Sequence, residues 1–380
     1  MLSREDILGW LRESDPNRLG ELWRAADAAR RENVGDAVHL RGLIEWSNIC
    51  RRHCGYCGLR ADNTGLTRYR MTVEEVIGCA AEAKRLGYGT VVIQAGEDAG
   101  LTMELVTDVI LRIKSATDLA VTLSLGERTW VELAAWRAAG ADRYLLRFET
   151  SDAELYQQIH PPKPLAEWPN RIEALAALRE LDYEVGSGMM VGTPGQSYEG
   201  LADDIELLGR LNLHMIGLGP YLPHPNTPLG RGVLPALPDG DQVPNTELMT
   251  YKVLALARLA VPLANIPSTT ALATLNYDGG RELGLMRGAN VVMPNITPAK
   301  YRRLYEIYPA KACLRESKED FDHLLRQRLA AIGRPVGTGR GDSKVRGRSL
   351  ERAKNADTNG RRRQGGKGME ETARLHGLKT

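Results

Sequence analysis

Residues 72–98, TVEEVIGCAAEAKRLGYGTVVIQAGED, contain one complete helix–strand unit. Thr72 and Glu75 form a capping-box signature, and the apolar positions that follow recur at helical spacing as far as Leu86. The run at 90–94 is apolar and rich in β-branched residues, and it is too short for a helix, so it predicts a buried strand. A helix that leads into a buried strand is typical of α/β proteins with a parallel sheet.

The same unit recurs along most of the chain. Strands are predicted near residues 43–46, 90–94, 120–125, 143–147, 184–190, 215–219, 263–267 and 290–293. Helical patterns between them include residues 72–86, 102–114, 170–181, 198–211, 247–259 and 298–305. Strands separated by helices pair in parallel through right-handed crossovers. Eight such units predict a (β/α)8 TIM-type barrel, whose ligand sites lie at the carboxyl ends of the strands.

Composition limits the class of protein. The 380 residues are 43% hydrophobic and 26% charged, which is ordinary for a globular protein. The longest apolar run, 253–266, is interrupted by Arg258 and Pro262, so no membrane span is expected. The N-terminus lacks the pattern of a secretory signal, and five cysteines do not suggest a disulfide framework. We therefore expect a cytoplasmic protein without a membrane partner.

The chain is predicted to have three parts, and the last of them differs from the others in charge. Residues 1–40 form an N-terminal helical extension, and residues 41–333 form the barrel with a C-terminal helix near 319–332. Residues 1–333 carry 37 basic and 43 acidic side chains, a net of −6, which argues against a nucleic-acid surface on the folded part. Residues 334–380 carry 13 basic and 5 acidic side chains and are rich in Gly and Arg, so a disordered basic tail is expected.

Three cysteines follow the first predicted strand. Cys50, Cys54 and Cys57 lie in SNICRRHCGYCGLR with C-x3-C-x2-C spacing, and no fourth cysteine is near. Three thiolates on a four-iron cluster leave one iron open for a ligand that is not protein. Zinc is the alternative, but a closed zinc site needs four ligands, and only His53 is close. A binding protein with a structural metal and a basic tail that engages nucleic acid is therefore a competing hypothesis.

This spacing after the first barrel strand resembles the radical S-adenosylmethionine (SAM) superfamily. The resemblance implies one 4Fe-4S cluster held by the three cysteines, and SAM bound at its open iron. Tyr56 matches the aromatic residue that packs on the SAM adenine. Gly96, Glu97 and Asp98 look like the motif that receives the methionine amino group of SAM.

Longer segments narrow the resemblance. CGYCGLRADNTGLTRYRM, TLSLGE, ADRYLLRFET, MMVGTPGQ, GLGPYLPHPNTPL, NIPSTTALAT and RGANVVMPNITPAKYRRLY, spread over about residues 35–348, are similar to the HydE-type maturases of iron-iron hydrogenase. By this resemblance Glu149, Arg171 and Ser124 join the cofactor-binding residues. Positions that match the lining of the family's substrate cavity are Thr122, Arg147, Thr269, Thr270 and Tyr301.

The chain departs from the family pattern at several positions. Phe148 stands where the family often has histidine. Cys313 matches the first cysteine of an optional second cluster, but Phe321 and Leu324 occupy the positions of its companions, so no second cluster is expected. His224, in PYLPHPNTP, is predicted either to be a polar group at the mouth or to fix a loop between prolines. Cys79 is predicted to be a small core residue.

The resemblance implies a function. SAM would be cleaved reductively to methionine and a 5′-deoxyadenosyl radical, with electrons from a ferredoxin or flavodoxin. The substrate would be a cysteine-bearing iron carbonyl cyanide precursor of the hydrogenase H-cluster, exchanged with maturases G and F. The alternative is a radical SAM enzyme on a small amino-acid-like substrate, similar to methylornithine synthase or biotin synthase. Biotin synthase is disfavoured because no predicted strand carries the cysteines that its second cluster needs.

Overall fold

The computed structural model of the chain describes residues 2–161, 167–238, 240–315 and 318–345. Its strands are β1 (His39–Ser47), β2 (Thr90–Ala95), β3 (Ala120–Ser124), β4 (Arg143–Leu145), β5 (Glu184–Ser187), β6 (Met190–Val191), β7 (Met215–Ile216), β8 (Gly219–Pro220) and β9 (Val291–Val292). Its helices are α1 (Arg4–Arg12), α2 (Pro16–Val34), α3 (Val73–Arg85), α4 (Met103–Ala116), α5 (Trp130–Ala138), α6 (Ala153–Ile159), α7 (Arg171–Glu180), α8 (Tyr198–Leu211), α9 (Glu247–Ala260), α10 (Thr270–Leu275), α11 (Gly280–Leu285), α12 (Ala299–Arg302) and α13 (Lys318–Ala331).

The main sheet is parallel and closes into a ring. Its strand order is β7-β5-β4-β3-β2-β1-β9. Parallel bridges join Met215 to Asn265 and Pro267 to Val291, so the segment 265–267 lies between β7 and β9. The predicted TIM-type α/β fold is confirmed, and each predicted strand coincides with a strand or bridge of this ring.

Two predicted strands are each divided in the structure. The run 184–190 becomes β5 and β6, and the run 215–219 becomes β7 and β8. The division follows from a close approach at Gly188, where an added Cβ would lie 1.9 Å from the carbonyl oxygen of Gly217. Beyond this contact β6 and β8 pair with each other in a separate two-stranded parallel sheet.

Alternation along β2 separates the core from the barrel interior. Val91 and Ile93 are fully buried in the layer between the strands and the outer helices, whereas Val92 and Gln94 face the interior cavity. The helix α3 begins with the predicted capping box, in which the Thr72 hydroxyl accepts a hydrogen bond from the Glu75 N–H at 3.2 Å. Cys79 on this helix belongs to the core, as predicted.

The predicted helix pair before residue 40 is present as α1 and α2. Arg4 forms an ion pair with Asp203 of α8 at 2.7 Å. The Lys252 ammonium group on α9 donates a hydrogen bond to the carbonyl oxygen of Leu11 at 2.9 Å. The two helices therefore cover the outer layer of the barrel. Within the described ranges, no helix combines the length and the apolarity that crossing a membrane requires.

The expectation of a disordered tail from residue 334 onward is wrong for residues 334–345. Val336 bridges to Val38 ahead of β1, and the segment that follows lies across the amino ends of the strands. The Gly341 carbonyl oxygen accepts hydrogen bonds from Arg41 at 3.0 Å and from Asn265 at 3.1 Å. We call residues 334–345 the bottom segment. The rest of the predicted tail, 346–380, lies outside the described residues.

Buried charges fasten the bottom segment to the barrel. Arg143 and Glu184 form an ion pair at 2.6 Å, and both side chains are almost fully buried. The Arg143 guanidinium also pairs with Asp342, and Glu184 accepts a hydrogen bond from the Ser343 N–H at 3.0 Å. Because a buried charge without partners costs several kcal/mol, these contacts strongly favour the seated segment.

The first prediction concerns the seat of this segment. A Cβ on Gly89 would lie 1.6 Å from the Gly339 carbonyl oxygen, so Gly89→Ala should displace the bottom segment and lower the free energy of unfolding by about 1–3 kcal/mol. Gly78→Ala, on an open position of α3, is the control and should stabilise the helix by about 0.5–1 kcal/mol. Urea denaturation of both variants measures the difference. Equal stability of the two would contradict the seating.

Candidate active site

A cavity of about 360 Å³ occupies the barrel interior. Cys50, Cys54 and Cys57 line it at the carboxyl ends of the strands. Arg41 and Asn265, which contact the bottom segment, line it at the other end. The cavity therefore extends along the barrel from the cysteine loop to the bottom segment.

The cysteine loop brings the three thiols to one wall of this cavity. Burial raises the pKa of each thiol, that of Cys54 to about 12, so binding of a metal must displace protons from sulfur. The Cys50 sulfur accepts the N–H groups of Arg52 at 3.5 Å and Glu97 at 3.3 Å. Backbone hydrogen bonds to cysteine sulfur are among the features that tune iron–sulfur clusters. The three thiols and these donors fit such a cluster.

The zinc hypothesis depends on His53, and the structure directs this side chain elsewhere. His53 is exposed, and its Nδ1 lies 2.9 Å from a carboxylate oxygen of Asp62. It does not belong to the cavity lining. Among the described residues, no group of three or more His, Cys, Asp or Glu side chains is arranged to hold a single metal ion.

The loop after β2 packs directly on the cysteine loop. A Cβ on Gly96 would lie 2.3 Å from the Ile49 carbonyl oxygen and 2.8 Å from the Cys50 Cβ, so only glycine fits. The next residue, Glu97, is buried and pairs with Arg51 at 2.9 Å. The backbone N–H of Arg51 donates to the Glu97 carbonyl oxygen at 3.1 Å. Gly96 and Glu97 line the cavity, as the motif predicts.

Asp98 does not reach the cavity, and the prediction that it binds the cofactor is not supported by its position. Its carboxylate accepts two hydrogen bonds from Arg70, at 2.8 and 2.7 Å, and one from the Ser47 hydroxyl at 2.7 Å. These bonds outweigh the effect of burial and hold the pKa of Asp98 below its ordinary value. Asp98 thus anchors the motif, because it ties the loop after β2 to the end of β1.

Glu149 and Arg147 face each other inside the cavity. Glu149 adopts a left-handed conformation with φ of 69°, which is unusual for a residue other than glycine and directs the side chain inward. Arg147 Nη2 lies 2.9 Å from Glu149 Oε2, yet the angles give neither atom a hydrogen bond within the described structure. The Tyr56 hydroxyl reaches Glu149 Oε1 at 3.4 Å. Buried atoms with unused hydrogen-bonding capacity suit a polar ligand.

Arg171 lies in a network that the sequence did not predict. It pairs with Glu127 at 3.0 Å, donates to the Arg147 carbonyl oxygen at 2.6 Å, and contacts His160 Nε2 at 2.5 Å. Arg52 of the cysteine loop approaches the other ring nitrogen of His160 at 2.9 Å. The network couples the residue predicted to hold SAM to the cysteine loop. TLSLGE, which ends in Glu127, was the sequence signal for part of it.

The predicted substrate residues divide into two groups. Thr122, Arg147, Thr269 and Thr270 line the cavity, as does Ser124, which was predicted to bind the cofactor. The Thr122 hydroxyl is buried without a hydrogen-bond partner among the described residues. Thr269 also caps α10, where its hydroxyl accepts the Leu272 N–H.

Tyr301 lies outside the residues that line the cavity, so its position does not support the prediction that it contacts substrate. Its hydroxyl donates to the Glu75 carboxylate at 3.0 Å, and its ring stacks on Tyr69. The predicted helix 298–305 stops at Arg302, and a tight turn follows, in which the Leu304 N–H bonds the Tyr301 carbonyl oxygen. The turn places Tyr305, not Tyr301, in the cavity lining.

Other cavity residues were missed or were predicted only in part. Tyr305, Tyr308, Glu45 and Lys311 line the cavity, although the sequence drew no attention to them. Alternation along the predicted strand 43–46 would have pointed Glu45 inward together with Leu43. Lys311 lies two residues before Cys313, which was considered from the sequence only as a ligand of a second cluster.

The structure places the residues at which this sequence departs from the family pattern, and it also places His224. Phe148 is buried in the core. Cys313 lines the cavity, whereas the Phe321 ring packs against Arg281 at 5.1 Å and Leu324 is exposed. His224 is buried behind the cysteine loop, where a Cβ on Gly58 would come within 2.6 Å of its ring, and it is not part of the lining.

Comparison with known proteins agrees with this site. The model of the radical SAM superfamily matches residues 44–208. Together with the barrel and the cysteine loop, this match defines a radical SAM enzyme, a class that employs a 4Fe-4S cluster and SAM.

A relative narrows the class. The [FeFe] hydrogenase maturase subunit HydE of Thermotoga maritima is 43% identical over 316 residues, which cover 83% of this chain and 86% of the relative. The chain therefore belongs to the HydE-type family of radical SAM enzymes.

More distant proteins share the fold. The 3-methylornithine synthase of Methanosarcina acetivorans is 25% identical over 77% of this chain and 79% of its own length. The solved structure of methylornithine synthase (PylB) has a TM-score of 0.75 at 23% identity, and the match covers 89% of this chain and 94% of that one. At this identity the structural likeness concerns the fold alone.

The site predicts different effects on SAM affinity for substitutions of one glutamate, Glu149, and one tyrosine, Tyr301. Glu149→Gln should weaken SAM binding by the reconstituted protein about tenfold or more, because it replaces a charge-assisted hydrogen bond with a neutral one. Tyr301→Phe should leave SAM affinity unchanged, because this side chain lies outside the cavity. Anaerobic equilibrium dialysis measures both affinities. A loss of SAM affinity in Tyr301→Phe would contradict its position outside the cavity.

Proposed function

We propose that this chain reductively cleaves SAM in the assembly of the [FeFe] hydrogenase H-cluster. The observation that carries the proposal is the cysteine loop, which places three buried thiols on one wall of a barrel-length cavity. Support for the pathway comes from the relative described as a hydrogenase maturase subunit, which shares 43% of its residues with this chain over most of both lengths.

Cys50, Cys54 and Cys57 would hold the one 4Fe-4S cluster of this site and leave a single iron for SAM. Once reduced by an external ferredoxin or flavodoxin, such a cluster would supply one electron for cleavage of a carbon–sulfur bond of SAM, which would yield methionine and a 5′-deoxyadenosyl radical. No second cluster is proposed, because Phe321 and Leu324 offer no sulfur beside Cys313.

The residues around the cysteine loop would orient SAM. Gly96 lets the loop after β2 approach the cysteine loop, and Glu97 and Ser124 present acceptors to the cavity. Tyr56 offers an aromatic face, and Glu149 suits the hydroxyl or ammonium groups of SAM. Arg171 suits its carboxylate because a guanidinium can bind carboxylates in a bidentate manner.

The substrate would occupy the deeper part of the cavity. We propose a cysteine-bearing iron carbonyl cyanide precursor, with Arg147, Thr122 and the pair Thr269 and Thr270 as its polar contacts. Ferredoxin or flavodoxin would supply electrons, and maturases G and F would deliver the substrate and receive the product. The barrel contributes confinement, since an enclosed interior keeps a reactive group away from water.

The similarity to 3-methylornithine synthase supports one alternative to the maturase function, namely that of an enzyme that rearranges a free amino acid. Incubation of the reduced, reconstituted protein with L-lysine and SAM distinguishes the two functions. A methylated ornithine product would support the alternative, whereas 5′-deoxyadenosine without a rearranged amino acid would favour the maturase.

The third prediction tests the cluster. Cys54→Ala should lose the ability to hold about four irons per chain after anaerobic reconstitution, and it should release no 5′-deoxyadenosine from SAM with dithionite, because two thiols remain. Cys79→Ala is the matched control, since Cys79 is a buried cysteine in the core rather than the cavity. It should keep both the iron and the cleavage activity. Iron analysis and chromatography of the products measure the outcome.

Retention of SAM cleavage by Cys54→Ala would overturn the assignment of the three cysteines. One zinc per chain in the unsubstituted protein, with no cleavage of SAM, would instead favour the structural-metal hypothesis.

A further inference from the structure

A buried ion pair lies inside the barrel cavity, away from the residues assigned to SAM. Glu45 Oε1 and the Lys311 ammonium nitrogen are 2.7 Å apart, and each side chain is only 3% exposed. Both line the cavity. The two charges of this pair therefore face the space that the substrate would occupy.

Glu45 is held rigidly on the strand β1. Strand alternation turns Arg41, Leu43 and Glu45 toward the cavity. The Glu45 N–H donates to the Thr297 hydroxyl at 2.8 Å, and its carbonyl oxygen accepts the Tyr69 hydroxyl at 2.8 Å. The carboxylate therefore projects from a fixed backbone, as a preorganised binding group should.

Both charged groups keep hydrogen-bonding capacity that the described residues do not use. The Glu45 carboxylate lies beside the Asn295 side chain, but its Oε2 atom is buried and lacks a hydrogen bond of good geometry among the described residues. The Lys311 ammonium group has three N–H donors, of which Glu45 takes one, and the group also lies 5.0 Å from the centre of the Tyr305 ring. Burial raises the pKa of Glu45. A purely structural ion pair is expected to satisfy its remaining lone pairs and protons, since unsatisfied buried groups reduce stability.

We propose that Glu45 and Lys311 form a binding subsite for the zwitterionic end of an α-amino acid. The unused carboxylate oxygen would accept hydrogen bonds from the ligand's ammonium group, and the unused lysine donors would bind its carboxylate. Two opposite charges side by side match the two opposite charges of such a ligand. The subsite deepens the proposed function, on which it rests, because it gives the amino-acid part of the substrate a place in the same cavity.

Three ligands that differ by one charged group test the subsite. L-Cysteine carries both groups, cysteamine lacks the carboxylate, and 3-mercaptopropionate lacks the ammonium group. Glu45→Gln should weaken binding of L-cysteine and cysteamine about tenfold or more and spare 3-mercaptopropionate. Lys311→Met should weaken L-cysteine and 3-mercaptopropionate to a similar extent and spare cysteamine. Anaerobic calorimetry on the reconstituted protein measures these affinities.

Two further variants make the test robust. The double variant Glu45→Gln/Lys311→Met leaves no unpaired buried charge, so it should fold even where a single variant does not, and it should no longer distinguish L-cysteine from either truncated ligand. The matched control is Glu75→Gln/Lys300→Met, which removes a pair of the same residue types at the same 2.7 Å on the outer face of the barrel. It should bind all three ligands as the unsubstituted protein does.

The subsite is overturned if the unsubstituted protein binds none of the three ligands, if the variants bind all three unchanged, or if each variant weakens all three equally. Release of 5′-deoxyadenosine by the unsubstituted protein, measured in the same preparations, keeps this result separate from the proposed function. Cleavage of SAM without the expected ligand pattern would reject the subsite alone.

Discussion

The site depends on the contact between two loops, at which only glycine fits. The loop after β2 presses Gly96 against the backbone of Ile49 and Cys50. This contact lets the Glu97 N–H reach the Cys50 sulfur, and Asp98 with Arg70 fastens the same loop to the end of β1. Parallel strands bring successive loops to one mouth, but they leave the distance between those loops unspecified. The glycine contact sets that distance, and with it the position of the first thiol.

Local pattern predicted the barrel well because its strands are covered on the outside by helices. Burial makes such strands short apolar runs, and each one was recognisable. The pattern was less informative where a long-range contact decides the geometry. No residue near Gly188 indicates that the Gly217 carbonyl oxygen lies against this glycine, at the point where two predicted strands are each divided. The bottom segment has the composition of a disordered tail. Its Gly341 carbonyl oxygen is nevertheless bound by Arg41 and Asn265, two residues that are distant from it in sequence.

The same reasoning explains which site residues were predictable. The spacing of Cys50, Cys54 and Cys57 indicates their chemistry. Glu149 and Arg171 were located through the family resemblance. Tyr301 was misplaced because a single tight turn changes which tyrosine faces inward, and helical periodicity does not extend across such a turn. Membership of a sequence motif also does not determine where a side chain points. Asp98 is adjacent to Glu97 in the motif, but its carboxylate is bound by Arg70 and Ser47 rather than directed into the cavity.

Charged side chains inside the barrel have different roles at its two ends. At the bottom, Arg143 and Glu184 find partners in the segment 334–345, so their charges are used to close the barrel. Near the mouth and in the interior, Arg147, Glu149 and Glu45 keep buried atoms without hydrogen bonds among the described residues. Because such atoms reduce the stability of the protein alone, a fold retains them most readily where a bound ligand completes them. The bottom also has buried atoms without hydrogen bonds among the described residues, Arg41 Nε and His39 Nδ1. Its ion pairs nevertheless join the strands to the segment 334–345, whereas the Glu149 and Glu45 carboxylates of the interior remain open to a ligand.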